Sequence, residues 1–296
     1  MKRKFLLAFR ILSLAIIYMV CFSLVFALVL PRQQGVSDAE QAAVLPALLT
    51  LSFLNTIVLA YVVIRSHWSG LKLVVALLLV IFGVTTLMPQ IETAVFVTLP
   101  DGLLPRLFIA GFLFATIYSP LLVLILGKRK PQDSPSTEPN KLPHSITEWI
   151  WKLSLIAVVY VILYFTFGYF VAWQSAAVRT YYGGSDAGNF FSQMSETLRD
   201  RPWLLPFQLF RGLIWAGLAI PVVRMTKGHW WEAALAVALL FCVVMNTQLL
   251  LPNPLMPKDV RMAHLLETAT SNFIFGVIIV WILTKLKQKR SLSGAS

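Results

Sequence analysis

The 296-residue chain is 58% apolar and only 13% charged, with a net charge of +12. A soluble domain carries about 25% charged residues, so the composition excludes an ordinary cytosolic enzyme, a disordered chain and a disulfide scaffold. The surplus Lys and Arg form no single patch with interleaved stacking aromatics, which argues against nucleic acid as a partner. They fall in short blocks between apolar runs, as loop charges that orient membrane helices do.

A spanning helix needs roughly 20 mainly apolar residues. The chain opens on Met1-Lys2-Arg3-Lys4 and an apolar run that reaches about Leu30. That run is too long for the core of a signal peptide, and no small-x-small cleavage site follows. Tyr18-Met19-Val20 before Cys21 also lacks the small residue of a lipoprotein site, so the run reads as a retained first helix. Eight runs qualify as spans: 8–30, 43–64, 71–98, 104–126, 149–172, 204–223, 230–251 and 260–284. The third is long enough to tilt or kink, with Pro89 as the expected cause. Pro46, Pro120, Pro206 and Pro221 lie in or beside other spans. Cys21 and Cys242 both sit in apolar runs and read as small core hydrophobes. Gly111 and Ala115 form a small-xxx-small pair that permits close helix packing.

Outside the spans, Ser37 and Glu40 have capping-box spacing, which predicts an extra turn before the second span. Residues 131–145 are rich in proline and polar residues and read as a solvated linker. In the loop from Trp173 to Trp203, Ala187, Phe190, Phe191, Met194 and Leu198 recur at helical spacing, with Asp186 as N-cap. This predicts a short amphipathic helix at the interface.

Orientation follows from charge. With the N-terminus inside, 17 of the 25 Lys and Arg fall on the cytoplasmic side, whereas 9 of the 13 acids fall outside. This is a positive-inside pattern. Both termini are then cytoplasmic, as in an integral protein of a plasma membrane, and short loops without a glycosylation sequon suit a bacterial inner membrane.

The two halves resemble each other. Leu12-Ser13-Leu14 is echoed by Leu153-Ser154-Leu155, and Gly35-Val36-Ser37-Asp38-Ala39 by Gly184-Ser185-Asp186-Ala187 with a preceding Gly183. Arg65-Ser66-His67-Trp68 is answered by Arg224 and His229-Trp230, and Ile125-Leu126-Gly127-Lys128 by Ile282-Leu283-Thr284-Lys285. The expected architecture is therefore an all-α, polytopic transmembrane bundle of eight spans in a parallel 4+4 repeat, about an axis along the membrane normal. Its parts are a four-span unit at 1–130, the linker at 131–145, a second four-span unit at 146–290 and a tail at 291–296.

No Walker loop, GxGxxG, GxSxG, HExxH or CxxC is present. What could carry chemistry is the set of polar side chains inside spans. A charge at mid-bilayer costs about 2.5–3.5 kcal/mol on insertion scales, so each needs a reason. Glu92 and Gln90 lie near the outer end of the third span, Gln208 and Arg211 in the outer half of the sixth, and Asn246 and Gln248 near the outer end of the seventh. His264, Glu267 and Ser271 share one face of the eighth, with Asn272 at its edge. All lie at similar depth on one side.

This convergence suggests an extracytoplasmic pocket that binds or passes a small polar or ionic species. Glu92, Arg211, His264 and Glu267 would form its core, and Gln90, Gln208, Asn246, Gln248 and Asn272 its lining. One alternative is an intramembrane hydrolase in which His264, Glu267 and Glu92 hold a divalent metal. Another is an assembly or signalling subunit whose polar network only fixes helix packing. The lipid bilayer is the expected environment. The sequence names neither substrate nor oligomeric state.

Overall fold

The computed structural model describes residues 2–31, 38–130, 142, 145–184 and 188–286. Among the described residues, eight helices are long and apolar enough to cross a membrane: Lys4–Val29, Glu40–Arg65, Gly70–Phe96, Leu103–Ile125, Ile146–Ala172, Leu204–Met225, Trp230–Leu250 and Lys258–Thr284. They are called the first to eighth spans below. Large apolar side chains such as Leu45, Phe53, Leu79, Ile109, Phe112, Phe210 and Leu213 stay exposed on the bundle's outside. In water such a surface would drive aggregation; in a bilayer it is the lipid contact. The chain is a multi-pass membrane protein.

Within residues 2–130, the first span packs on the second and fourth, and the third on the fourth. Within residues 145–286, the fifth packs on the sixth and eighth, and the seventh on the eighth. Across these two groups the second span meets the seventh and the third meets the sixth. The core between them is filled by Val62, Leu73, Leu77, Trp215, Val222, Val237 and Phe241, all fully buried. Lipid supplies no hydrophobic drive between helices, so close backbone approach must. A Cβ on Gly276 would stand 2.6 Å from Ala238 Cα, and one on Gly212 2.9 Å from Ala157 Cα. Gly111 instead lies against the side chain of Thr86, and Ala115 is fully buried.

One end of the bundle is basic. There the loops after the second and sixth spans pair through an isolated bridge, Ser66 with Thr226, in which His67 N donates to Met225 O and Lys227 N to Arg65 O, each at 2.8 Å. Lys128 Nζ donates to Ser66 O at 2.8 Å, and Arg65 forms an ion pair with Glu232. Burial holds both the His67 imidazole and the Lys128 ammonium below their ordinary ranges.

Three spans contain π-helical turns: Gly83–Leu87 in the third, Gly168–Ala172 in the fifth and Leu240–Val244 in the seventh. The distortion expected at Pro89 thus appears one turn earlier. Proline has no N–H for the carbonyl four residues back, and its ring crowds that carbonyl. That carbonyl is Thr85 O, and it instead accepts from Gln248 Nε2 of the seventh span at 3.0 Å.

At the opposite, distal end two short helices follow the fifth span, Ala176–Tyr181 and Phe190–Asp200. The second is the amphipathic helix expected from periodicity, but it starts later. Gly188 takes φ +56°, and Asn189 is the N-cap, its side chain accepting from Phe191 N at 2.9 Å. Asp186 and Ala187 lie outside the described residues, as do Ser37 and most of the 131–145 stretch.

Candidate functional site

The sequence-derived residues separate into two groups. Glu92, Gln208, Arg211, His264 and Glu267 come together at the distal end. Arg211 Nη2 donates to Glu92 Oε2 at 2.7 Å, joining the sixth span to the third. Its Nη1 donates to Gln208 Oε1, one turn away, at 3.0 Å. The guanidinium lies 5.6 Å from the Tyr160 ring centre and 5.8 Å from that of Phe207, so two aromatic faces flank it. Glu92 keeps 32% of its side chain accessible, whereas Arg211 keeps 2%.

On the eighth span the i, i+3 spacing brings His264 Nδ1 to Glu267 Oε2 at 2.8 Å. A carboxylate only accepts, so Nδ1 carries the proton of this bond. The other ring nitrogen, Nε2, faces the Tyr182 hydroxyl at 3.2 Å. Burial, with Glu92 and Glu267 nearby, raises the Tyr182 phenol above its ordinary range. With Nδ1 carrying the proton of a neutral imidazole, Nε2 accepts from the phenol, and the result is a hydroxyl–imidazole–carboxylate chain. Tyr160, Tyr164 and Tyr182 each lie within electrostatic range of both Glu92 and Glu267, and His264 within range of Glu92. The ion pair and the chain thus form one cluster.

Tyr182 is held by its own local fold. Val178 of the short helix Ala176–Tyr181 packs with Ala172 and Val260 at the start of the eighth span. The Tyr181 hydroxyl donates to Leu255 O at 2.7 Å, and Gly183 turns the chain with φ +72°. Above the cluster lies a cavity of about 520 Å³ bordered by Val95–Thr98, Tyr181, Tyr182, Arg201, Trp203 and Leu255. Glu92 sits one helical turn below Val95 and Phe96 on the same face. Tyr182 belongs both to the cavity wall and to the cluster.

The amides form the second group. Asn246 Nδ2 donates to Phe241 O and Cys242 O at 3.1 and 2.9 Å, carbonyls released by the π turn of the seventh span. Its Oδ1 accepts from Thr268 Oγ1. Gln248 serves the carbonyl above Pro89, and Asn272 Nδ2 meets Met245 Sδ at 3.1 Å. Ser271 turns to its own helix backbone. Gln90 is half-buried, and its Oε1 has no partner.

The metal set expected from His264, Glu267 and Glu92 does not assemble: among the described residues no three His, Cys, Asp or Glu side chains converge to hold an ion. The reason lies in the partners each has taken. Glu92 faces Arg211, and both imidazole nitrogens are engaged. Arg261 donates to Leu249 O and Met256 O and ties the seventh span's end to the eighth.

Sequence reasoning missed Tyr182, Tyr160 and Tyr164. Tyr181-Tyr182 reads from sequence as an interface anchor; the usable signal was its position two turns after the end of the fifth span, within reach of the eighth span's polar face. Compared with known protein families, curated proteins and solved structures, the chain matches none.

Proposed function

We propose that the protein is a plasma-membrane protein of two tandem four-span units, with an extracytoplasmic pocket that binds or passes a small polar or ionic species. The observation that carries this reading is Tyr182: it borders the 520 Å³ cavity and hydrogen-bonds into the charged cluster beneath it. A buried ion pair at this depth that served packing alone would need no solvent-sized opening above it.

The tandem arrangement is supported by the helix neighbours. The pairs first–second, first–fourth and third–fourth recur as fifth–sixth, fifth–eighth and seventh–eighth. The contacts second–seventh and sixth–third are exchanged by the same operation, and the Ser66–Thr226 bridge lies where its axis would pass. Units of four spans, an even number, enter from the same side, which makes the repeat parallel. The basic end is assigned to the cytoplasm by its Lys and Arg, in a bacterial inner membrane.

Orientation and opening are tested together. In a Cys21→Ala/Cys242→Ala background, Thr98→Cys on the cavity wall should react with a membrane-impermeant thiol reagent added to intact cells. Reaction only after the cells are opened would overturn the reading.

A further inference from the structure

Arg211 is a cation with donors to spare. Nη2 goes to Glu92 and Nη1 to Gln208, but Nε has no partner, although the residue is 1% exposed. A guanidinium only donates, so the Gln208 atom facing it is the oxygen, which leaves Gln208 Nε2 as a second donor. It too has no partner, on a side chain that is fully buried. One turn deeper, Trp215 Nε1 is directed at the Tyr160 hydroxyl. Residues 208 and 211 follow i, i+3 spacing, so these two donors share one face of the sixth span. Buried donors call for an acceptor.

The form of that acceptor follows from the guanidinium. The edge made by Nε and Nη2 fits both oxygens of a carboxylate or phosphate. Glu92 occupies only its Nη2 half. Being a third exposed, Glu92 is also the partner free to leave, whereas Arg211 is fixed.

We propose that Arg211 anchors a small oxyanion, a carboxylate or phosphate group, that is taken up together with one proton. The oxyanion replaces Glu92 on Arg211, with Arg211 Nε and Gln208 Nε2 as added donors, and the proton forms an O–H bond on Glu92. This rests on the cavity being the ligand entrance.

Charge requires the proton. The groups facing Glu92 are Arg211 from the sixth span, Tyr160 and Tyr164 from the fifth, His264 and Glu267 from the eighth, and Tyr182 from the segment between. An oxyanion beside ionised Glu92 and Glu267 would set three negative charges against the guanidinium and at most one imidazolium. Neutralising Glu92 keeps the site's charge unchanged on binding. The proton comes from hydronium in the cavity, leaving water behind. Glu92 is a third exposed, so the proton reaches it from the solvent side. Arg201 on the cavity rim attracts the anion from solvent.

The test uses the full-length protein in detergent and reads its thermal midpoint. Acetate, benzoate and inorganic phosphate are added against matched chloride, at mildly acidic and mildly alkaline pH. Stabilisation should be large at acidic pH and fade on the alkaline side. One linked proton makes the apparent Kd rise by up to about tenfold per pH unit. Glu92→Gln, a permanently neutral side chain, should bind at both pH values without that dependence. Gln208→Leu should weaken binding at both. A stronger response to short-chain phosphatidic acid than to inorganic phosphate would identify a lipid headgroup as the source of the oxyanion. A larger response to tetramethylammonium than to any anion would overturn the proposal. So would identical pH profiles for wild type and Glu92→Gln, or no response in either, which would leave the donors to bound water. If Thr98→Cys is labelled from outside but no anion stabilises the protein, the oxyanion inference alone has failed.

Discussion

The bundle holds two polar clusters, and they are built on opposite principles. The first is neutral and closed. Asn55 Nδ2 donates to the Tyr18 hydroxyl at 2.9 Å, Thr247 Oγ1 donates to Asn55 Oδ1 at 2.8 Å, and Gln248 Nε2 serves Thr85 O. The free space beside them is only about 10 Å³, too little for more than one water. The second is charged and open: Glu92–Arg211 and Tyr182–His264–Glu267, with Arg211 Nε and Gln208 Nε2 unpartnered beneath a cavity of about 520 Å³. A network that satisfies its own groups needs nothing further and fixes helix packing. A network that keeps charge, spare donors and an opening has what the proposed binding role would use.

Substitutions can break this contrast or sharpen it. The largest effect is expected for Arg211→Leu, which strands Glu92. Removing one partner of a buried pair costs about 3–5 kcal/mol, and partial hydration of Glu92 should reduce this to about 2–3 kcal/mol. The double variant Glu92→Leu/Arg211→Leu should recover most of the loss, because no charge is then left unpaired. Reversible unfolding in mixed micelles measures both, and a double variant no better than the single would mean the pair is not coupled.

Next is Asn246→Leu in the closed network. It leaves Phe241 O and Cys242 O without their side-chain donor and should cost about 1–2 kcal/mol. The same unfolding assay reads it, and labelling of Thr98→Cys should be unaffected. A change in labelling would mean that the two clusters communicate.

The sharpest comparison uses one chemical change in both places. Tyr18→Phe removes the acceptor of a buried Asn55 amide where there is room for at most one water, at a cost of about 1 kcal/mol. Tyr182→Phe removes a hydroxyl at the wall of a solvent-sized cavity, where water can take its place, and should cost well under about 1 kcal/mol. Equal costs, measured side by side, would erase the distinction between a dry and a wet cluster.

The eight spans were legible because bilayer thickness imposes a length on every apolar run, and Glu92, Gln208, Arg211, His264 and Glu267 stood out because charged and polar side chains inside a span are costly. Depth alone, however, does not give rotation about a helix axis. Asn246 and Gln248 share the depth of Glu92 but turn to carbonyls left open by a π turn and by Pro89, and nothing in the residue pattern announced which carbonyls those would be. Tyr182 was hidden for another reason: its place depends on Val178 docking on Ala172 and Val260, a contact between segments distant in the chain. The start of the amphipathic helix moved from Asp186 to Asn189 because glycine at 188 takes a left-handed conformation that breaks the run.

The account stands most directly on the claim that one cluster is reached from solvent and the other is not. The measurement is the reaction rate of a small charged thiol reagent with Glu92→Cys and with Asn55→Cys, each in the purified Cys21→Ala/Cys242→Ala protein. Fast modification at position 92 and protection at position 55 is the predicted result. Similar rates at the two positions, or faster reaction at 55, would contradict it.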